Sequence, residues 1–139
     1  AYRKRRWEGA SAPHLAVAYG IARLLIFRRM LKKLGLHRVK IALSAGAPLP
    51  AEVQALWQVW GVNLKNLFGQ TEGGVLTAQI QPFPKPGSVG TPYPGAEIRL
   101  GADDEIIGRS PGCFDGYWGD AAASAEVLQP DGIHTGDVG

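Results

Sequence analysis

Residues 39–68 constrain the fold most. Val39-Lys40-Ile41-Ala42-Leu43-Ser44 is a short apolar run with β-branched residues, which predicts a buried strand. It leads into the small-residue loop Ala45-Gly46-Ala47-Pro48-Leu49-Pro50. Pro50 suits the first turn of a helix, where the missing N–H costs nothing. Val53, Leu56, Trp57 and Trp60 then recur at three- and four-residue spacing, predicting a core-facing helix side that ends at Gly61, a natural C-terminal cap. Val62 to Phe68 reads as a second strand. Two strands joined through one short helix predict parallel pairing in an α/β sheet. Ligands of such sheets bind beyond the C-terminal strand ends, where the segments 44–50 and 69–74 fall, so one site is expected there.

The flanks differ in texture. Residues 14–34 read as a helix ended by Gly35, with Val17, Ile21, Leu24, Leu31 and Leu34 on one face but Arg28 among them, so no clean apolar stripe forms. Most of the glycines and prolines fall at or after Gly69. After Gly87, short apolar stretches at 96–100 and 106–109 are separated by turn formers such as Ala102-Asp103-Asp104, which predicts a small β-rich subdomain. A turn and short helix are expected over 116–127, and a turn at Gln129-Pro130-Asp131-Gly132 before a closing segment. The division expected is therefore 1–86, a basic helix plus an α/β portion, and 87–139, the β-rich portion.

The net charge of +3 conceals a strong asymmetry: residues 1–40 hold eleven Lys and Arg against one acid, and residues 41–139 hold four against eleven. Such a basic segment, with Arg3-Lys4-Arg5-Arg6 at its start, ordinarily forms a solvated face; it also suits peripheral contact with an anionic membrane. Aromatic interleaving of the kind that binds RNA is missing, and no nucleic-acid partner is expected. Arg23 interrupts the apolar stretch 15–27, leaving it too short to span a bilayer, and no cleavable leader is evident. The lone Cys113 cannot form an internal disulfide, which favours a reducing, cytoplasmic setting. No Cys/His cluster has zinc spacing. Core packing is the ordinary role for Trp57, Trp60 and Trp118.

Thr71-Glu72 at a strand end places a hydroxyl donor beside a carboxylate, a pair suited to a phosphate and the Mg²⁺ that neutralises it. Taken alone, such a dipeptide is more often a cap or a solvated pair. The preceding Phe68-Gly69 adds a face that can stack on a purine and a backbone that can approach phosphates closely.

Five segments, Ser44 to Pro50, Phe68 to Glu72, Gly87-Ser88-Val89-Gly90-Thr91-Pro92, Phe114-Asp115-Gly116-Tyr117-Trp118 and Thr135-Gly136-Asp137, occur in an order and at a spacing that resemble the adenylate-forming, AMP-binding enzymes. The arrangement is most similar to long-chain fatty acyl-CoA synthetases, in which a Lys- and Arg-bearing helix ending in Leu-Gly-Leu, here Leu34-Gly35-Leu36, precedes the first segment. The chain reads as an interior piece of the N-terminal domain of such an enzyme. The resemblance implies that Gly46, Ala47 and Pro48 border the adenine, Phe68 stacks on it beside Gly69, Thr71 contacts the α-phosphate, Glu72 helps to hold Mg²⁺, and Asp137 accepts from the ribose hydroxyls. It implies ATP, Mg²⁺ and coenzyme A, and a fatty or other carboxylic acid activated as acyl-adenylate and passed to the thiol. Phe68 departs from the family's usual tyrosine, and Asp131-Gly132-Ile133-His134 is shorter before the histidine. His134 is expected to pack or hydrogen-bond, because a carboxylate ionised at neutral pH needs no base.

The phosphate loop and the C-terminal domain with the family's catalytic lysine are not among these residues, so this polypeptide alone is expected neither to adenylate nor to form thioesters. Surfaces exposed by a partial domain suit a homodimer. An aryl or amino-acid adenylating domain is the alternative within the same fold, and a non-catalytic nucleotide- or partner-binding module the alternative from another class.

Overall fold

A computed structural model describes Arg3, residues 7–9 and residues 13–139. Lys4, Arg5 and Arg6 of the basic run lie outside the described residues. The chain forms two units, Ala1–Lys65 with Ile80–Ser88, and Asn66–Gln79 with Val89–Gly139.

The first unit contains, among the described residues, α1 (Pro13–Ala22), a π-helical stretch (Arg23–Phe27) and α2 (Arg28–Lys33). Gly35, with φ +75°, follows in the left-handed conformation expected of a helix stop. The wider π turn puts residues on either side of it out of phase, which is why the helix presents no single stripe. Leu31 is buried, whereas Val17, Ile21, Leu24 and Leu34 are exposed. No helix among the described residues is long and apolar enough to cross a membrane.

Strand β1 (Ala42–Ser44) is shorter than expected and is not buried: Ala42 and Ser44 are half-buried, but Val39, Ile41 and Leu43 are exposed. The expected buried strand is thus a one-sided one, tied down where the Ala42 N–H donates to the Asn63 carbonyl at 3.1 Å.

Helix α3 (Ala51–Trp60) starts just after Pro50 and ends at Gly61, whose φ of +103° permits the left-handed cap. Its buried side is not the predicted one. Gln54 and Gln58 are 0% exposed, while Val53 and Leu56 are 41% and 49% exposed. One turn apart, the two amides both donate to the Leu64 carbonyl, at 3.1 and 3.2 Å, and Gln58 also donates to the Pro84 carbonyl and accepts from the Trp7 indole. Hydrogen bonds from these amide N–H groups are what let polar side chains occupy such a position. Trp57, half-buried, packs against a small core of Leu31, Val62 and Leu64, with its ring edge-to-face to Trp60 at 5.2 Å. Arg3 is buried rather than solvated as expected, because its guanidinium stacks 3.9 Å from the Phe83 ring centroid and bonds the Tyr19 hydroxyl.

The second unit is built from antiparallel strands. β2 (Leu64–Gln70), which starts in the first unit, pairs antiparallel with β3 (Gly74–Ala78), and β3 with β4 (Thr91–Pro92). The three-residue turn after Gln70 returns the chain antiparallel; the parallel pairing expected from the sequence concerned residues 39–68 and not this hairpin. β5 (Glu97–Leu100), β6 (Glu105–Arg109), β7 (Leu128–Gln129) and β8 (Gly132–Val138) form a second sheet in the order β5-β6-β8-β7. Before β7 comes α4 (Ala121–Val127), with the Asp120 carboxylate capping it through the Ala123 N–H. The β-rich part and the short helix are as predicted, and helix and sheet are mixed as the α/β expectation requires. Leu76, Ile107 and Ile133 are buried here, and a Cβ at Gly108 would stand 2.7 Å from a Leu76 methyl. Trp118 is fully exposed, contrary to its expected core role, because it sits in the turn that leads into Asp120.

Candidate functional site

The turn Thr71, Glu72, Gly73 between β2 and β3 is closed by a Gly73 N–H to Gln70 carbonyl bond of 3.2 Å. Its neck is tight. A Cβ at Gly69 would lie 2.1 Å from the Gly74 carbonyl oxygen, so glycine is required there for the hairpin itself. Thr71 is exposed at the tip and Glu72 is half-buried.

The segment 110–117 is laced onto this tip. The Ser110 hydroxyl donates to the Gly73 carbonyl at 2.6 Å, the Phe114 N–H to the Glu72 carbonyl at 2.8 Å, and the Tyr117 phenol to Glu72 Oε1 at 2.5 Å. The Phe114 and Tyr117 rings meet edge-to-face at 5.0 Å. The Tyr117 N–H donates to the Ser124 hydroxyl, which in turn donates to the Asp120 carbonyl, so the start of α4 fixes the tyrosine.

The phenol bond, followed by a backbone bond at Glu72, holds the Glu72 carboxyl below the usual carboxylate range, and the same contact raises the Tyr117 phenol. Glu72 is therefore anionic at neutral pH, oriented by a hydroxyl and next to an exposed threonine. Among the described residues no group of three or more His, Cys, Asp or Glu side chains could hold a metal ion by itself. A lone oriented carboxylate fits Mg²⁺, which is typically held by one or two carboxylates together with substrate phosphates.

Asp137 is exposed on a protrusion of β8. Pairing of β6 with β8 runs Glu105↔Val138 and then Ile107↔His134, so a two-residue step on β6 faces a four-residue step on β8. The excess residues 135–137 bulge out. The Thr135 hydroxyl donates to the Ile106 carbonyl at 2.7 Å and accepts from the Asp137 N–H at 3.2 Å. His134 makes hydrogen bonds, as expected, with ring nitrogens 2.8 Å from Glu105 and 3.2 Å from Asp131.

Phe68, Gly69, Thr71 and Glu72 thus share one hairpin, with Phe68 half-buried opposite Thr77. Asp137 belongs to the same unit but to the other sheet. Gly46, Ala47 and Pro48 form an exposed loop of the first unit, with Gly46 at φ +80°.

Against known families, residues 10–118 match the model of the AMP-binding enzyme. The chain belongs to the AMP-binding enzyme family. Among curated relatives, this AMP-binding chain is 33% identical over 117 residues to a long-chain-fatty-acid–CoA ligase of Mycobacterium bovis, covering 83% of the chain and 19% of the relative. It is 33% identical over 132 residues to the peroxisomal long chain acyl-CoA synthetase 7 of Arabidopsis thaliana, again covering 83% and 19%. The chain therefore spans about a fifth of the length of these relatives. Among solved structures it resembles an anthranilate CoA ligase in complex with anthranoyl-AMP, with TM-score 0.64 and 26% identity over 73% of this chain and 22% of that one. Asp137 lies beyond the residues matched to the family.

Sequence reasoning assigned no role to Ser110, Tyr117 or Ser124. The block 114–118 stood out as a motif, but Tyr117 and Glu72 are 45 residues apart and only the fold pairs them.

Proposed function

We propose that this chain supplies part of the nucleotide site of an ATP-dependent acid–thiol ligase. The observation that carries the reading is the anionic Glu72 held by Tyr117 beside the exposed Thr71, on a chain of the AMP-binding family. In the reaction a substrate carboxylate attacks the α-phosphorus of ATP, pyrophosphate leaves, and the resulting acyl-adenylate passes its acyl group to the thiol of coenzyme A with release of AMP. Thr71 would donate to an α-phosphate oxygen. Glu72 would hold Mg²⁺, which neutralises phosphate charge when bound. The Asp137 carboxylate would accept from the two ribose hydroxyls, and Phe68 would stack on the adenine. The family expectation for Gly46, Ala47 and Pro48 is a backbone border to the adenine. Positioning and charge neutralisation carry most of such a transfer.

A fatty acid is the substrate class favoured, on the strength of the two curated relatives named above. Exposed Val17, Ile21, Leu24 and Leu25 near Arg23, Arg28 and Arg29 support taking such a substrate at an anionic membrane surface. An aromatic acid is the second reading, favoured by the likeness to the anthranilate ligase.

Calorimetric titration with a non-hydrolysable acyl-adenylate analogue tests the proposal. Wild type should bind saturably, and Asp137→Ala should weaken binding roughly 10- to 100-fold, the loss expected for hydrogen bonds to a charged acceptor. A folded chain that fails to bind, or binds equally well without the Asp137 carboxylate, would sink it.

A further inference from the structure

The sequence places Asp137 in a motif but does not say what keeps its loop in shape. A four-residue step opposite a two-residue step leaves 135–137 without regular ladder partners, and Gly136 takes φ +70° at the apex. Such a bulge keeps one conformation only if its backbone groups are bonded elsewhere. One side chain of the facing strand reaches it twice. Glu105 Oε1 accepts from the Gly136 N–H at 3.0 Å, and Oε2 lies 2.8 Å from His134 Nδ1. The carboxylate thereby bridges the residue before the bulge and the residue at its apex. The other face of the His134 ring is met by Asp131, which is paired with Arg99 of β5. Glu105 and His134 are partly shielded, with side chains 28% and 21% exposed.

We infer that Glu105 is a positioning residue, which fixes the Gly136–Asp137 backbone and so aims the Asp137 carboxylate at the ribose. The ribose part rests on the reading of Asp137 proposed above; the clamp itself rests on geometry alone. Both carboxylate oxygens are used, and the Gly136 amide and then the His134 ring hold the Glu105 carboxyl below the usual range, so the clamp is in its anionic form at neutral pH. Glu105 makes no contact with substrate in this scheme, and acts only through the bulge.

The test uses the 139-residue chain, with amide hydrogen exchange read residue by residue and AMP affinity by calorimetry. In Glu105→Ala, exchange at Gly136 and Asp137 should rise at least about tenfold relative to Leu76 and Ile133, and AMP should bind about tenfold more weakly. Glu105→Gln keeps an acceptor for the Gly136 N–H and should restore both to within about threefold of wild type. Should Glu105→Ala unfold globally, Glu105→Asp decides, because it keeps the charge and shortens the reach. Loosening at 136–137 alone then supports the clamp, and exchange like wild type overturns it. Unchanged exchange at Gly136 in a folded Glu105→Ala chain also overturns it. If Asp137→Ala leaves AMP binding intact, the ribose reading fails by itself, while the exchange data still decide the clamp.

Discussion

In the second unit the innermost side chains are aliphatic, with Leu76, Ile107 and Ile133 shut in among antiparallel strands, whereas in the first unit the innermost side chains of α3 are the amides of Gln54 and Gln58. The difference follows from where backbone groups find partners. Antiparallel strands satisfy one another through the ladder, so the side chains between them can be wholly apolar. At the start of β2 the Leu64 carbonyl is reached instead by two glutamine side chains, and the helix turns its polar side inward to supply them. Valine and leucine on the same helix are left at the surface. The candidate site residues 68–72 and 137 belong to the unit that holds Leu76, Ile107 and Ile133.

The largest effect should come from Leu76→Ala. It removes a fully buried side chain and should lower stability by about 2–5 kcal/mol in urea unfolding, while Leu56→Ala on α3 should cost under about 0.5 kcal/mol. Equal costs would erase the contrast between the units. Next is Gln58→Leu, hydrophobic and of similar size. If the amides hold the first unit together, it should destabilise by about 1–3 kcal/mol, because the partners of Gln58, the Pro84 carbonyl and the Trp7 indole, lose their bonds. A gain in stability would mean that α3 tolerates an apolar side chain at its innermost position.

The smallest effect expected is a shift in titration. Glu72 has a depressed folded pKa, so its contribution is present above about pH 4.3 and fades as pH falls through the folded value. Tyr117 has a raised one, so its contribution is present below about pH 10 and fades as pH rises through the folded value. Tyr117→Phe should return the Glu72 midpoint upward toward the ordinary range, read by carboxyl carbon NMR. An unmoved midpoint would remove Tyr117 from the account of the site.

Local signals were legible where local physics decides the outcome. Gly35 and Gly61 marked helix ends because left-handed caps favour glycine, and the turn formers at 102–104 and 129–132 delimited the strands of the second sheet. Of the apolar face assigned to α3, Trp57 packs on the core, but Val53 and Leu56 stay exposed because two glutamines that the Leu64 carbonyl draws inward take the innermost positions. Trp118 failed because a large aromatic in a turn carries no mark of whether anything packs on it. Of the candidate site, the residue types at 68–72 and 137 could be read; their neighbours could not.

By itself, then, the sequence determined the family, the helix ends at Gly35 and Gly61 and the β-rich texture after Gly87, since these depend on residue type and spacing along one chain. Only the tertiary structure decided that Tyr117 holds Glu72, that Glu105 grips the Gly136 bulge and that glutamines face inward. Each of those contacts joins residues distant in sequence or weighs a buried polar group against its partners, and periodicity records neither distance in space nor hydrogen bonding.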